Sequence, residues 1–226
     1  MIVAERKSFE KIWEFASKFQ KILIAGCGEC VTVCFAGGER EVSILASQLR
    51  LRAQKEGKEL EVHEYTVKRQ CDVDFMEELK KKSRVEAIIS LACGAGVQFV
   101  AEYLFPIPVF PGVDTKFLGG SHQAGEWVEN CLTCGECILD RTGGICPVAR
   151  CSKSLLNGPC GGSQEGRCEV DQSIECAWQL IIDRMKEMGR LGELEQIEPP
   201  KDWSQNRDGG PRRVLREDLK IDESGK

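Results

Sequence analysis

The chain has 226 residues, among them 13 cysteines, with 31 Lys and Arg against 36 Asp and Glu for a net charge of −5. That length can bury a real core, so the cysteines are not staples for an undersized domain, and the acidic balance excludes a general nucleic-acid binder. No apolar run reaches the roughly 20 residues of a membrane span, and Met1-Ile2-Val3-Ala4 before Glu5-Arg6-Lys7 is too short for an export signal.

The pattern therefore predicts a cytoplasmic protein, where clustered thiols bind metal more often than they pair as disulfides. Residues 8–20 set Phe9, Ile12, Trp13, Ala16 and Phe19 on one helical face behind Ser8, a candidate N-cap. Residues 21–26 (KILIAG) read as a buried strand running into Cys27, and 38–57 as a helix that stops at Gly57. Residues 59–67 alternate as a half-buried strand and 72–82 form a short helix. Residues 87–92 are a buried strand ending at Cys93-Gly94, followed by a helix from Gly96 to Tyr103 and a short strand over 107–110. Strands alternating with helices predict an α/β fold, a small parallel, flavodoxin-like sheet wound in the right-handed sense over residues 1–120.

Such sheets gather ligands beyond the carboxyl ends of their strands. A 2-1-3 strand order, with the strand of residues 21–26 in the middle, would bring Cys27, Cys30, Cys34, Cys71 and Cys93 to one edge. The loop C-G-E-C-V-T-V-C supplies Cys27, Cys30 and Cys34, and Cys93 would complete a four-thiolate site, open equally to zinc or an iron–sulfur centre. Cys71 is the expected spare thiol, since thirteen is odd and four-thiolate sites use multiples of four.

Residues 121–196 read as a cysteine-rich metal-cluster module with a C-terminal helix over 173–194, and 197–226 as an extended charged tail that binds a partner or stays flexible. Between 126 and 171 glycine, proline and cysteine crowd out apolar residues, so bound metal is expected to organise what a core does not. Cys131, Cys134 and Cys137 stand at C-x2-C-x2-C spacing, which wraps three corners of a cubane cluster. Cys146-Pro147 is a candidate fourth ligand, although eight residues replace the usual three-residue gap. Cys151, Cys160, Cys168 and Cys176 suffice for a second centre, with N-G-P-C-G-G offering backbone amides to sulfur. Arg150, Lys153 and Arg167 fall among these thiols and are most simply surface residues. Neither His63 nor His122 belongs to a nucleophile constellation.

From Trp127 to Trp178 the runs C-L-T-C-G-E-C, G-G-I-C-P-V-A-R-C, N-G-P-C-G-G, G-R-C-E-V and E-C-A-W resemble the methylenetetrahydrofolate reductase C-terminal family. With the preceding α/β half, the resemblance spans residues 20–195 and leaves the tail out. It implies a non-catalytic accessory subunit in one-carbon (Wood–Ljungdahl) metabolism, paired with a flavin-bearing TIM-barrel reductase subunit that carries FMN. One or two [4Fe-4S] clusters are then expected within 131–176 and one more at the 27–93 site, with zinc at one site. Electrons would come from ferredoxin or another redox donor, and neither nucleic acid nor membrane is an expected partner. The competing expectations are a zinc-binding structural or regulatory scaffold of the same complex, and an independent enzyme using a spare thiol such as Cys71.

Overall fold

In the computed structural model, which describes residues 1–216 and 218, the first apolar run is a strand, β1 (Ile2–Arg6). Ser8 caps the next helix, α1 (Phe9–Ala16), its hydroxyl accepting from the Lys11 amide at 3.4 Å, and Ile12, Trp13 and Ala16 form the buried face. Then β2 (Lys21–Cys27) runs through the centre of a parallel sheet with β3 (Glu61–Val67), β4 (Ala87–Ser90) and β5 (Val109–Pro111), in the order β3-β2-β4-β5. The order is the expected 2-1-3 with the fourth strand added beyond β4.

A central parallel strand is covered on both faces, so it reads as a continuous apolar run. Along β2 successive side chains point to opposite faces, so Ile22 and Ile24 join one core and Leu23 and Ala25 the other. The first core is closed by α1, β1 and α3 (Glu39–Glu56), through Val42, Leu45, Ala46, Leu49 and Ala53. The second is closed by Met76 and Leu79 of α4 (Met76–Lys82) and by Val100 of α5 (Gly94–Tyr103), with Leu104 at its end. A one-turn helix, α2 (Cys30–Val33), connects β2 to α3. Burial of these aliphatic side chains, each about 1.5–3 kcal/mol, is the main favourable term holding the sheet.

Two features differ from the expected organisation. A second, antiparallel sheet of order β1-β6-β7 is built from β1, β6 (Val113–Gln123) and β7 (Glu126–Cys131). The expected boundary after residue 120, at Gly119-Gly120-Ser121, therefore lies inside β6, and the chain divides into a unit spanning Met1–Glu129 and one that begins at Asn130.

The second unit has a core of its own, small but closed. Ile145 packs with Trp178, Ile181 and Met185 of α7 (Ala177–Glu187), with Leu155, Leu180 and Leu194 against them. The module gains this core because α7 brings its apolar face to the glycine- and cysteine-rich segment, which has too few apolar residues by itself. The Trp178 indole also donates to the Leu155 carbonyl at 2.9 Å. No helix among the described residues is long and apolar enough to cross a membrane.

Candidate functional site

In the first unit, chemistry-bearing side chains collect where β2, β3 and β4 end. Cys27 is the last residue of β2, and Cys30 opens α2. Cys71 lies just past β3 and Cys93 is the N-cap of α5. Gln70 holds this edge together and is fully buried. Its side-chain amide donates to the Ala25 and Gly26 carbonyls, each at 2.9 Å, and its carbonyl accepts from Ser90 Oγ at 2.6 Å. The loop after β3 is thereby tied to the ends of both neighbouring strands. A side chain on Gly96 would collide with Ala92 and press on Gln70, so only glycine lets the first turn of α5 come this close.

The thiols feel one another there. Burial pushes the Cys27 thiol up, and Cys93 and Cys30 add to the rise against backbone hydrogen bonds that lower it. Partial desolvation raises Cys71 as well, although the residue is exposed overall, and the charges of Cys93, Cys27 and Cys30 push it further. Cys34 is placed differently. Its sulfur lies 3.5 Å from both the amide nitrogen and the carbonyl oxygen of Ala4 in β1, and 3.6 Å from the Val31 carbonyl, inside the apolar core. The chain leaves α2 through Phe35 at φ 54, a left-handed conformation uncommon outside glycine, and Phe35 meets Trp127 edge-on at 6.3 Å.

In the second unit, Cys131 ends β7, and Cys134 and Cys137 follow on the same loop. Thr133, between the first two, is also left-handed at φ 54, and its amide donates to Cys131 Sγ at 3.3 Å. From the tail expected to bind a partner or stay flexible, Lys201, Asp202, Gln205 and Arg212 lie against this loop. Lys201, its side chain 3 % exposed, donates to the Glu136 carbonyl at 2.7 Å and pairs with the Glu136 carboxylate at 3.3 Å. The Asp202 amide donates to the same carboxylate at 3.1 Å, and Arg212 donates to the Thr133 and Gln205 carbonyls. Gly135, at φ 91, has no room for a side chain because Gln205 lies against it. The strap thus forms because the loop offers a carboxylate and backbone carbonyls to tail cations. The part of the tail at 217 and 219–226 lies outside the described residues.

Cys151, Cys160, Cys168 and Cys176 line one small cavity, together with Arg150, Lys153 and Trp178. Cys176 is the N-cap of α7, with no side chain capping that helix end. The Gly162 amide donates to Cys160 Sγ at 3.4 Å. Cys168 is held below the usual thiol range, first by its hydrogen bond with Ser152 Oγ at 3.4 Å, then by the backbone near Val170 and Asp171, with Lys153 contributing. The two cations at the rim are already paired, Lys153 with Glu169 and Arg150 with Glu175 at 3.8 Å. Arg167 instead donates to the Ser173 carbonyl at 3.5 Å. Cys146 and Cys151 bracket α6 (Pro147–Arg150) at its two ends, so Cys151 lines the cavity and Cys146 does not.

Among the described residues, no group of three or more His, Cys, Asp or Glu side chains stands gathered as a ready-made metal polyhedron. The donor chemistry of the cavity nevertheless fits a thiolate-held metal group. Four cysteines line one space, an amide points at the sulfur of Cys160, and Cys168 is biased toward thiolate. Sequence reasoning missed Gln70 and the strap. A buried glutamine carries no spacing signal, and a charged tail reads as solvated whether or not it docks.

No curated protein matches the chain, and no solved structure does. A family model does match: residues 110–204, which hold all eight cysteines from Cys131 to Cys176 and the strap as far as Ser204, are similar to the family described as methylene-tetrahydrofolate reductase C terminal.

Proposed function

We propose that the chain is an accessory electron-transfer subunit of a methylenetetrahydrofolate reductase complex, the MetV-type small subunit, passing electrons to the flavin of a catalytic TIM-barrel partner. The observation that carries this reading is the cavity lined by Cys151, Cys160, Cys168 and Cys176, inside the segment similar to the reductase family. An iron–sulfur cluster held there supplies one-electron transfer at a potential tuned by its surroundings. The protein's own part is to bind and tune. The four thiolates would ligate it, the Gly162 amide donates to Cys160 Sγ, Cys168 Sγ is hydrogen-bonded with Ser152 Oγ, and Trp178 lines one wall. The Cys131–Cys137 loop under its strap is the place for a second cluster, with Cys146 as its fourth ligand. Ferredoxin or a comparable carrier is the donor, and FMN sits on the partner.

The test is anaerobic purification of the full chain followed by iron and acid-labile sulfide determination, then reduction by ferredoxin in the presence of the flavoprotein partner. Iron with matching sulfide, and flavin reduction that requires this chain, are the expected results. A colourless protein with zinc and no iron would overturn the electron-transfer reading in favour of a zinc-organised scaffold.

A further inference from the structure

We infer that Lys201 and Arg212, two cations of the strap, are positioning residues for the Cys131–Cys134–Cys137 loop: they fix its backbone from one side and raise the reduction potential of the centre proposed there. This role rests on the electron-transfer reading, and all its residues lie in the second unit.

The donor set of the loop suits such a centre. Three thiols share one short segment, Cys131 and Cys137 exposed and Cys134 half-buried, and the Thr133 amide donates to Cys131 Sγ at 3.3 Å. The strap takes the carbonyls instead. The Glu136 carbonyl accepts from Lys201 Nζ at 2.7 Å, and the Thr133 carbonyl accepts from Arg212. The same guanidinium reaches the Thr133 hydroxyl at 3.3 Å and ties back to the Gln205 carbonyl at 3.0 Å. In a trans peptide the carbonyl and the following amide point in opposite directions. Holding these two carbonyls on the strap therefore turns the Cys134 and Cys137 amides away from it, to the open side of the loop. Amides so placed are donors for cluster sulfur, and such bonds favour the more negative, reduced state.

The Glu136 carbonyl also shows what Lys201 adds. Cys134 Sγ lies 3.5 Å from that oxygen, a contact in which the thiol is the donor. A cysteine that ligates has given up this proton, and the carbonyl then keeps Lys201 as its partner. Charge acts in the same sense. The Lys201 side chain is 3 % exposed and its ammonium lies 5.4 Å from the centre of the Trp203 ring, so solvent screens it little. Its charge is matched by the Glu136 carboxylate at 3.3 Å, whereas Arg212 meets the loop through neutral oxygens. Removing either cation should lower the potential, and neutralising Glu136 should raise it. A unit charge about 10 Å from the centre, at an effective dielectric of about 20, shifts the reduction equilibrium on the order of tenfold, which is about 59 mV for one electron.

The experiment uses the full chain, purified anaerobically, with iron and sulfide counted and midpoint potentials read by titration followed by electron paramagnetic resonance. The signal belonging to this loop is the one lost in Cys131→Ala. It should shift about tenfold toward lower potential in Arg212→Gln and Lys201→Met, hold its place in Lys201→Arg, and rise in Glu136→Gln. Iron and sulfide should stay constant across these four variants, and so should the potential of the other centre. Unmoved potentials, shifts of the same sign in Arg212→Gln and Glu136→Gln, or equal shifts of both signals overturn the role of the strap and leave the electron-transfer reading intact. If Lys201→Met loses its iron, the opposite signs of Arg212→Gln and Glu136→Gln decide alone. A wild-type chain without iron overturns both readings together.

Discussion

Replacing Gln70 with leucine should weaken the first unit out of proportion to the change in side-chain volume. The substitution removes three hydrogen bonds in a fully buried setting, to the Ala25 and Gly26 carbonyls at 2.9 Å and from Ser90 Oγ at 2.6 Å. At about 1 kcal/mol net for each bond the loss is about 3 kcal/mol, before any penalty for groups left unsatisfied. Two of the abandoned partners keep a second contact, which limits that penalty: the Ala25 carbonyl still accepts from the Leu91 amide at 2.8 Å, and Ser90 Oγ from the Ala92 amide at 3.2 Å. Amide hydrogen exchange in β2 and β4, read by mass spectrometry on the full chain, reports the opening of this unit separately from the other. A loss of about 3 kcal/mol corresponds to exchange roughly a hundredfold faster in those strands. Ser90→Ala removes one of the three bonds and also the bond from the Ala92 amide, so it should cost about 2 kcal/mol, about a thirtyfold change. If Gln70→Leu accelerated exchange no more than Ser90→Ala does, Gln70 would not be the tie that fixes the edge bearing Cys71.

Ile181→Ala, at a fully buried position in α7, should cost about 2–5 kcal/mol and selectively raise exchange in α7, because the small core of this unit has little to collapse into the cavity. A cost below about 1 kcal/mol would show that this core does not hold the module. Lys201→Met removes a buried ammonium from the Glu136 carbonyl and carboxylate, and about 1.5–3 kcal/mol of strap attachment should go with it. Alkylation of Cys134 in chelator-treated protein should then speed up; an unchanged rate would mean the strap leaves the loop uncovered. Trp178→Phe keeps most of the packing but loses the bond to the Leu155 carbonyl, for about 1 kcal/mol and a modest rise in exchange around Leu155.

The α/β half was legible because each element carries its own local signal. The aliphatic run of β2 is buried at six of seven positions, and α3 repeats apolar residues at helical spacing until Gly57. The right-handed crossover rule then left few strand orders, and the observed one is among them. The antiparallel sheet was not legible. β1 offers only Ile2, Val3 and Ala4 before two charged residues, and most of β6 is exposed or half-buried, with glycines that read as a boundary until β1 and β7 pair on either side.

The cysteines divide in the same way. Spacing alone determined that Cys131, Cys134 and Cys137 share a loop and that Cys27 and Cys30 form a pair, because nearby residues are constrained by the chain itself. Spacing could not tell where a sulfur points. Only the tertiary structure turned Cys34 toward Ala4, tied the residue before Cys71 to the ends of β2 and β4, and brought Cys151, Cys160, Cys168 and Cys176 to one cavity. Those outcomes depend on which strands lie side by side, on a buried glutamine that spans two of them, and on a helix cap that carries a thiol. Each is a contact between residues distant in sequence, which no local pattern specifies.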